Sequence, residues 1–298
     1  MKRNGKMRQW LSASLLVGAF GALVWLERRR PLRKAKSEPK LRREVRNLVV
    51  ATLGAITLQI AERPVIAPLT RLVERRRIGL LKSLRLPKWL EVLSAVVLLD
   101  YTLYWWHVLM HRVPLLWRFH IAHHVDLELD ASTALRFHFG ELALSVPWRA
   151  AQVGMIGVSP LALSVWQKLL LLSVMFHHSN VRLPIKFERR LNRFLVTPRM
   201  HGIHHSIVRA ETNANWSSGL TCWDWLHGTL RLNVPQNEIV IGVPRTGRGR
   251  AAAGSRLTLY RAAPHVAVAG GTNARACCLA YRGRPLAHLS GERDCSDA

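Results

Sequence analysis

Acidic residues are scarce in this chain of 298 residues: 18 Asp and Glu stand against 44 Lys and Arg, a formal charge of +26. Cysteine is scarcer still. Cys222, Cys277, Cys278 and Cys295 have neither the pairing of a disulfide framework nor the spacing of a zinc ribbon, so they indicate only compatibility with a reducing compartment. A basic excess invites a nucleic-acid reading, because cationic domains track phosphate. Here it coexists with 49% hydrophobic residues and a slightly positive mean hydropathy. The cations also gather in blocks beside apolar runs, Arg28 through Arg46 and Arg71 through Arg85. Lys and Arg that flank membrane segments and meet anionic headgroups account for both facts. Nucleic acid is therefore set aside as a partner.

The apolar runs predict a membrane protein. A basic flank (Lys2, Arg3, Lys6, Arg8) precedes Leu11 to Leu26 without a convincing cleavage site, which predicts an uncleaved anchor. Further runs cover Leu48 to Leu69 (interrupted by Glu62, Arg63 and Pro64), Trp89 to Met110, Leu142 to Val158 and Leu161 to Phe176. The Gly157-Val158-Ser159-Pro160 break predicts a tight reversal between the last two. Arg149 and Gln152 flaw the first of that pair, which leaves a re-entrant hairpin and two full spans equally open. Three regions follow: residues 1–46, an anchor and basic linker; 47–244, the membrane domain; and 245–298, an Arg-, Ala- and Gly-rich tail expected to be loosely organised.

Eleven of the fourteen histidines lie between His107 and His205, mostly in three clusters. These are His107-x-x-x-His111, His120-x-x-His123-His124 and His201-x-x-His204-His205. Spacings of three and four place imidazoles on one helical face, close enough to share an ion. If the Arg28 to Arg46 loop is cytoplasmic, alternating spans bring all three clusters to that same face. The Arg71 to Arg85 block then lies on the other side, against the positive-inside rule. Eight imidazole nitrogens suffice for two ions with positions left open. Iron cycles between oxidation states and zinc does not, yet imidazole suits both. His-Glu-x-x-His of hydrolytic zinc sites is absent from the sequence, as are the Glu-x-x-His pairs of soluble di-iron bundles.

Residues between the histidines carry a further pattern. Asp100-Tyr101 leads to His111, Trp117-Arg118-Phe119-His120 to His123-His124, and Arg136-Phe137-His138 to Glu141. His178-Ser179-Asn180-Val181-Arg182-Leu183-Pro184, Val196-Thr197-Pro198-Arg199-Met200-His201 and Trp223-Asp224 with Gly228-Thr229 complete it. From about Asp100 to Val243 the chain resembles the fatty acid hydroxylase/sterol desaturase superfamily of integral-membrane di-iron oxygenases. It departs from the family's common pattern at Asn215-Trp216-Ser217, at His227 and at Phe139.

The resemblance implies an all-α integral membrane bundle, multi-pass in a bacterial inner membrane or the endoplasmic reticulum. A histidine-rich helical cap facing the cytosol would cover two iron ions. The implied activity is hydroxylation or desaturation of a lipid (fatty acyl, sterol or related), with O2 and electrons from a reductase, cytochrome or ferredoxin type of donor. The implied ligands are His107, His111, His120, His123, His124, His178, His201, His204 and His205. His138 is a possible ligand or supporting group, and Asn180, Glu141 and Asp224 are expected to orient imidazoles or waters. His177 is expected to be a packed neighbour of His178. Asp100, a costly charge inside an apolar run, is open between a role near the site and an interfacial position. Two other readings use the same histidines: a relative that binds metal or lipid without turnover, and a haem-binding membrane cytochrome.

Overall fold

The computed structural model describes residues 2–34 and 38–243. The tail expected over 245–298 lies outside the described residues. Among these, no strand forms, and the elements are helices joined by short loops with three isolated bridges. Four helical stretches are long and apolar enough to cross a bilayer: Trp10–Arg29, Leu41–Ser83, Lys88–Arg112 and Pro160–His178.

Helix α1 (Lys2–Arg29) is followed by α2 (Lys40–Thr57), so the boundary expected at residue 46 falls inside a helix. A π turn over Leu58–Glu62 joins α2 to α3 (Arg63–Arg76). It coincides with the Glu62-Arg63-Pro64 interruption. Pro64 has no N–H to donate, and locally widened winding carries the helix past it. The short α4 (Leu80–Ser83) leads to α5 (Lys88–Arg112), α6 (Pro114–His124) and a 3-10 turn at Thr133–Leu135. Then come α7 (Phe139–Ile156), α8 (Pro160–His178), α9 (Ile185–Leu191), α10 (Pro198–His204), α11 (Arg209–Thr212) and α12 (Cys222–Leu226).

The α7–α8 reversal forms as the sequence predicts. Gly157 ends α7 with φ +86, and Ser159 caps α8 by accepting from the Ala162 N–H at 3.2 Å. A Cβ on Gly79 (φ +96) would collide with the backbone of Gly157, so two glycines let the α3–α4 and α7–α8 corners touch. Helix α7 is continuous from Phe139 to Ile156 and is not one of the four stretches long and apolar enough to cross. Its Arg149 donates to Gln152 and lies 4.2 Å over the Trp166 ring, which resolves the polar flaw by local pairing.

The apolar core joins Ile66 and Val73 of α3 to Leu99 of α5, Val153 of α7 and Trp166 of α8. Outward faces remain apolar: Leu15, Leu48, Ile60, Leu93 and Met155 are exposed, and only 6% of the α1 window is buried. Surfaces of this kind call for lipid rather than water.

Helices α5 and α8 both end at the histidines, whereas α7 starts there and α6 lies across that end. The corner between α3 and α5 sits at the opposite end, where buried Lys82 pairs with Glu74 and with Glu91. The Arg71 to Arg85 block is thus remote from the histidines and partly neutralised by these two carboxylates.

Candidate metal centre

Helix α5 delivers His107 and His111 one turn apart. Val113 ends it in extended conformation, and Pro114 opens α6, whose last turn carries His120, His123 and His124. Helix α8 ends at His177 and His178, and α10, opened by Pro198, carries His201 and His204 with His205 next. All of these are buried except His111, which is partly so.

They sort into two groups that could each hold a metal ion. His107, His111, His120, His124 and His204 form one, and His123, His178, His201 and His205 the other; within each, the ligand atoms lie within 4.8 Å of one another. The groups adjoin, since the His124 and His205 rings stack at 4.4 Å. Neighbours in sequence part company: His123 and His124 enter different groups, as do His204 and His205.

Proton positions favour metal over hydrogen bonds. His178 Nδ1 donates to the Val174 carbonyl at 2.8 Å, so its Nε2 presents a lone pair. That lone pair faces His123 Nε2 at 2.9 Å and His201 Nε2 at 3.0 Å, and His205 Nε2 lies 3.1 Å from His201 Nε2. One lone pair accepts one proton well, so N–H···N bonds alone leave nitrogens competing, whereas a shared cation satisfies all four. In the larger group, His107 Nδ1 donates to the Trp216 carbonyl at 2.7 Å, His204 Nδ1 to the Ala214 carbonyl at 2.9 Å, and His120 Nδ1 to Glu141 Oε2 at 3.1 Å. The Nε2 atoms of His111, His120, His124 and His204 are buried without a hydrogen-bond partner. Burial and neighbouring imidazoles hold His123, His124, His201, His204 and His205 well below the usual histidine pKa, in the neutral form that ligation requires. Spacings this tight leave no room for a haem macrocycle between the rings.

The supporting groups differ in what they touch. Asp224 accepts from the Trp216 N–H at 2.8 Å and the Ser217 N–H at 3.0 Å, so it fixes the segment whose carbonyl holds His107. Burial pushes its carboxyl pKa up, against these donors and the Thr229 hydroxyl. Trp216, a departure from the family's common pattern, is buried against the His107, His111 and His204 rings. Asn180 makes hydrogen bonds to Arg33 and Glu27 rather than to an imidazole. It clamps the segment after α1, accepting from the Arg33 N–H and donating to the Arg33 carbonyl, both at 2.8 Å. His138 lies in neither group and caps α7, its Nδ1 accepting from the Gly140 N–H at 3.0 Å. His177 packs on His201 at 4.1 Å between ring centres but joins neither group. Asp100 accepts from the Leu220 N–H at 2.9 Å and Trp223 Nε1 at 2.8 Å, pinning the segment before α12 to α5.

Sequence reasoning missed a buried network beneath α6. Asp126 accepts from Arg43 Nε at 2.9 Å, Asn47 Nδ2 at 3.2 Å and the Thr133 hydroxyl at 2.8 Å. Arg136 donates to the Ala122 carbonyl at 2.6 Å and to Asn47 at 3.0 Å. The network ties α2 to the turn that bears His123 and His124. Asp126, two residues beyond a histidine triplet in an acid-poor chain, was the available signal.

Residues 92–229, which hold every member of both groups, match the fatty acid hydroxylase family. That stretch is similar to the fatty acid hydroxylase domain of the fatty acid hydroxylase/sterol desaturase superfamily. An ornithine lipid hydroxylase of Rhizobium tropici is 30% identical over 158 residues, 53% of this chain and 46% of that protein. Human alkylglycerol monooxygenase is 29% identical over 148 residues, 50% of this chain and 32% of the relative. Rat cholesterol 25-hydroxylase is 29% identical over 144 residues, 47% of each chain. The matched stretch thus spans less than half of each of these relatives. No solved structure matches the chain. The matched stretch covers most of α5 and all of α6 through α12, while α1 through α4 lie ahead of it.

Proposed function

We propose that this protein is a membrane-bound, non-haem di-iron oxygenase that hydroxylates or desaturates a lipid. The observation that carries the reading is the convergence of nine histidines into two adjoining, largely buried groups. Relatives named as hydroxylases of an ornithine lipid and of cholesterol, and as an alkylglycerol monooxygenase, support lipid as the substrate class. The apolar outer helices support a membrane setting, with the centre at the cytoplasmic end as the Arg28 to Arg46 block favours.

In this reading His107, His111, His120, His124 and His204 hold one iron, and His123, His178, His201 and His205 the other. Bound iron would supply the redox chemistry that lets O2 and two electrons from an external donor oxidise an unactivated C–H bond. The chain's own residues prepare that step. Carbonyls of Val174, Ala214 and Trp216 and the Glu141 carboxylate take the Nδ1 protons of His178, His204, His107 and His120, which turns each Nε2 lone pair inward. Trp216 shields the larger group from water. His138 and Asn180 act at a distance, one by starting α7 and the other by holding the segment after α1.

Purified full-length protein should contain about two irons per chain and oxidise lipid only with O2 and a reductant present. The test is metal analysis with product mass spectrometry on extracts of cells with and without the protein. Full iron loading with no oxidised lipid, a reductase being supplied, would favour a metal-binding relative without turnover.

A further inference from the structure

Two segments far apart in sequence meet where α1 ends. The Arg182 N–H donates to the Arg30 carbonyl at 2.7 Å and the Leu32 N–H to the Asn180 carbonyl at 2.8 Å, pairing Pro31 with Val181. A groove opens there, lined by Arg29, Arg30, Pro31, Arg182, Leu183 and Pro184. None of its three arginines has a carboxylate partner among the described residues. Beside them, Trp25 is 57% exposed on the last turns of an apolar helix, as an interfacial aromatic would be.

The chain running on from this groove is amphipathic. Ile185, Phe187 and Phe194 are exposed at 48%, 55% and 68%, interleaved with exposed Lys186, Arg190 and Arg193. The one acid in the segment, Glu188, is turned inward and accepts from Arg199 Nε at 2.7 Å. The outer surface is therefore purely cationic and apolar. Through Glu188 and Arg199 it is keyed to α10, the helix that carries His201 and His204.

We propose that Arg29, Arg30 and Arg182 form a headgroup site for an anionic phospholipid, with Ile185, Phe187 and Phe194 seated among the adjoining acyl chains. Three guanidinium groups complement a phosphate diester, and exposed aromatics next to them match the depth at which α1 leaves the apolar layer. A water-soluble acidic protein would match the charge and leave the phenylalanines unexplained. The site rests on the membrane setting and is independent of the metal chemistry.

The test uses full-length protein in nanodiscs of equal phosphatidylglycerol and phosphatidylcholine, with lipids retained after extraction counted by native mass spectrometry. The wild type should retain phosphatidylglycerol about tenfold over phosphatidylcholine. R29Q/R30Q/R182Q should bring that ratio close to parity, with bound metal and melting temperature unchanged. R182Q alone, an exposed side chain whose backbone makes the pairing, should fall between. R75Q/R76Q/R85Q, the same charge change at the opposite end, should keep the wild-type ratio. The site is ruled out if the first variant keeps its preference, if the far-end variant loses as much, or if inorganic phosphate displaces the retained lipid. Loss of an acidic electron-transfer protein from the variant, with lipid retention intact, would assign the surface to that partner instead.

Discussion

The Nε2 atoms of His123 and His178 lie 2.9 Å apart, while His178 commits its Nδ1 proton to the Val174 carbonyl. Two helices that share no sequence motif thus hold nitrogen against nitrogen in a buried place. Metal ligation should be a major source of this protein's stability. Removing metal with a chelator should cost about 4 kcal/mol at metal concentrations near a thousand times Kd. Calorimetric melting with and without chelator measures this, and an unchanged transition would argue against ligation.

The sorting of neighbours predicts an unusual mutational pattern. His123→Ala and His205→Ala should deplete the same metal position, and His124→Ala and His204→Ala the other, so each variant keeps about one metal of two. Metal analysis of the four single variants checks it. Pairing by sequence cluster, with His123→Ala behaving as His124→Ala does, would contradict the geometry.

Asp224 reaches His107 through Trp216. Replacing it with Asn sets an amide N–H against a backbone N–H, at a cost of about 1–3 kcal/mol. Asp224→Asn should therefore lower the melting temperature and weaken metal retention in the larger group first, with His123-group loading preserved. Equal loss from both groups would mean that the carboxylate merely supports the fold.

Arg43 and Asp126 are sealed together, with 2% and 0% of their side chains exposed. Removing one partner of a buried pair costs about 3–5 kcal/mol. Asp126→Ala should destabilise the protein by that amount and loosen both metal groups, because the turn it anchors serves His123 and His124 alike. Denaturant unfolding decides, and a loss under about 1 kcal/mol would be inconsistent with a continuous network.

Acid should release metal and stability together. His123, His124, His201, His204 and His205 are held well below the ordinary value. Above about pH 6.5 these groups are neutral folded or unfolded, and their full contribution is present. As pH falls through that value the unfolded chain binds protons that the folded one refuses, so stability declines toward the depressed folded values. Melting temperature and metal content of the protein followed from about pH 8 to 5 should both drop. A flat profile would show that the imidazoles are not buried as described.

Much of this was legible before the fold. The apolar runs marked α1, α2–α3, α5 and α8, because hydrophobic length is a local property, and Gly157 through Pro160 marked the reversal by turn chemistry. The Glu62-Arg63-Pro64 interruption misled only in part, since a π turn carries the helix through it. Backbone acceptors for His107, His178 and His204 were invisible, because every residue type has a carbonyl and only tertiary placement selects one. Asp126 and Arg43 stand 83 positions apart, so no local pattern could join them.

Taken alone, the sequence determined the main helices and the type of candidate ligand. Helical spacing put imidazoles at span ends, and scarce acid with scarce cysteine left nitrogen as the ligand. Only the tertiary structure decided which histidines stand close enough to share an ion. Successive residues on a helix point about 100° apart. His123 and His124 therefore face different partners, and α5, α8 and α10 must pack before either side chain has a companion.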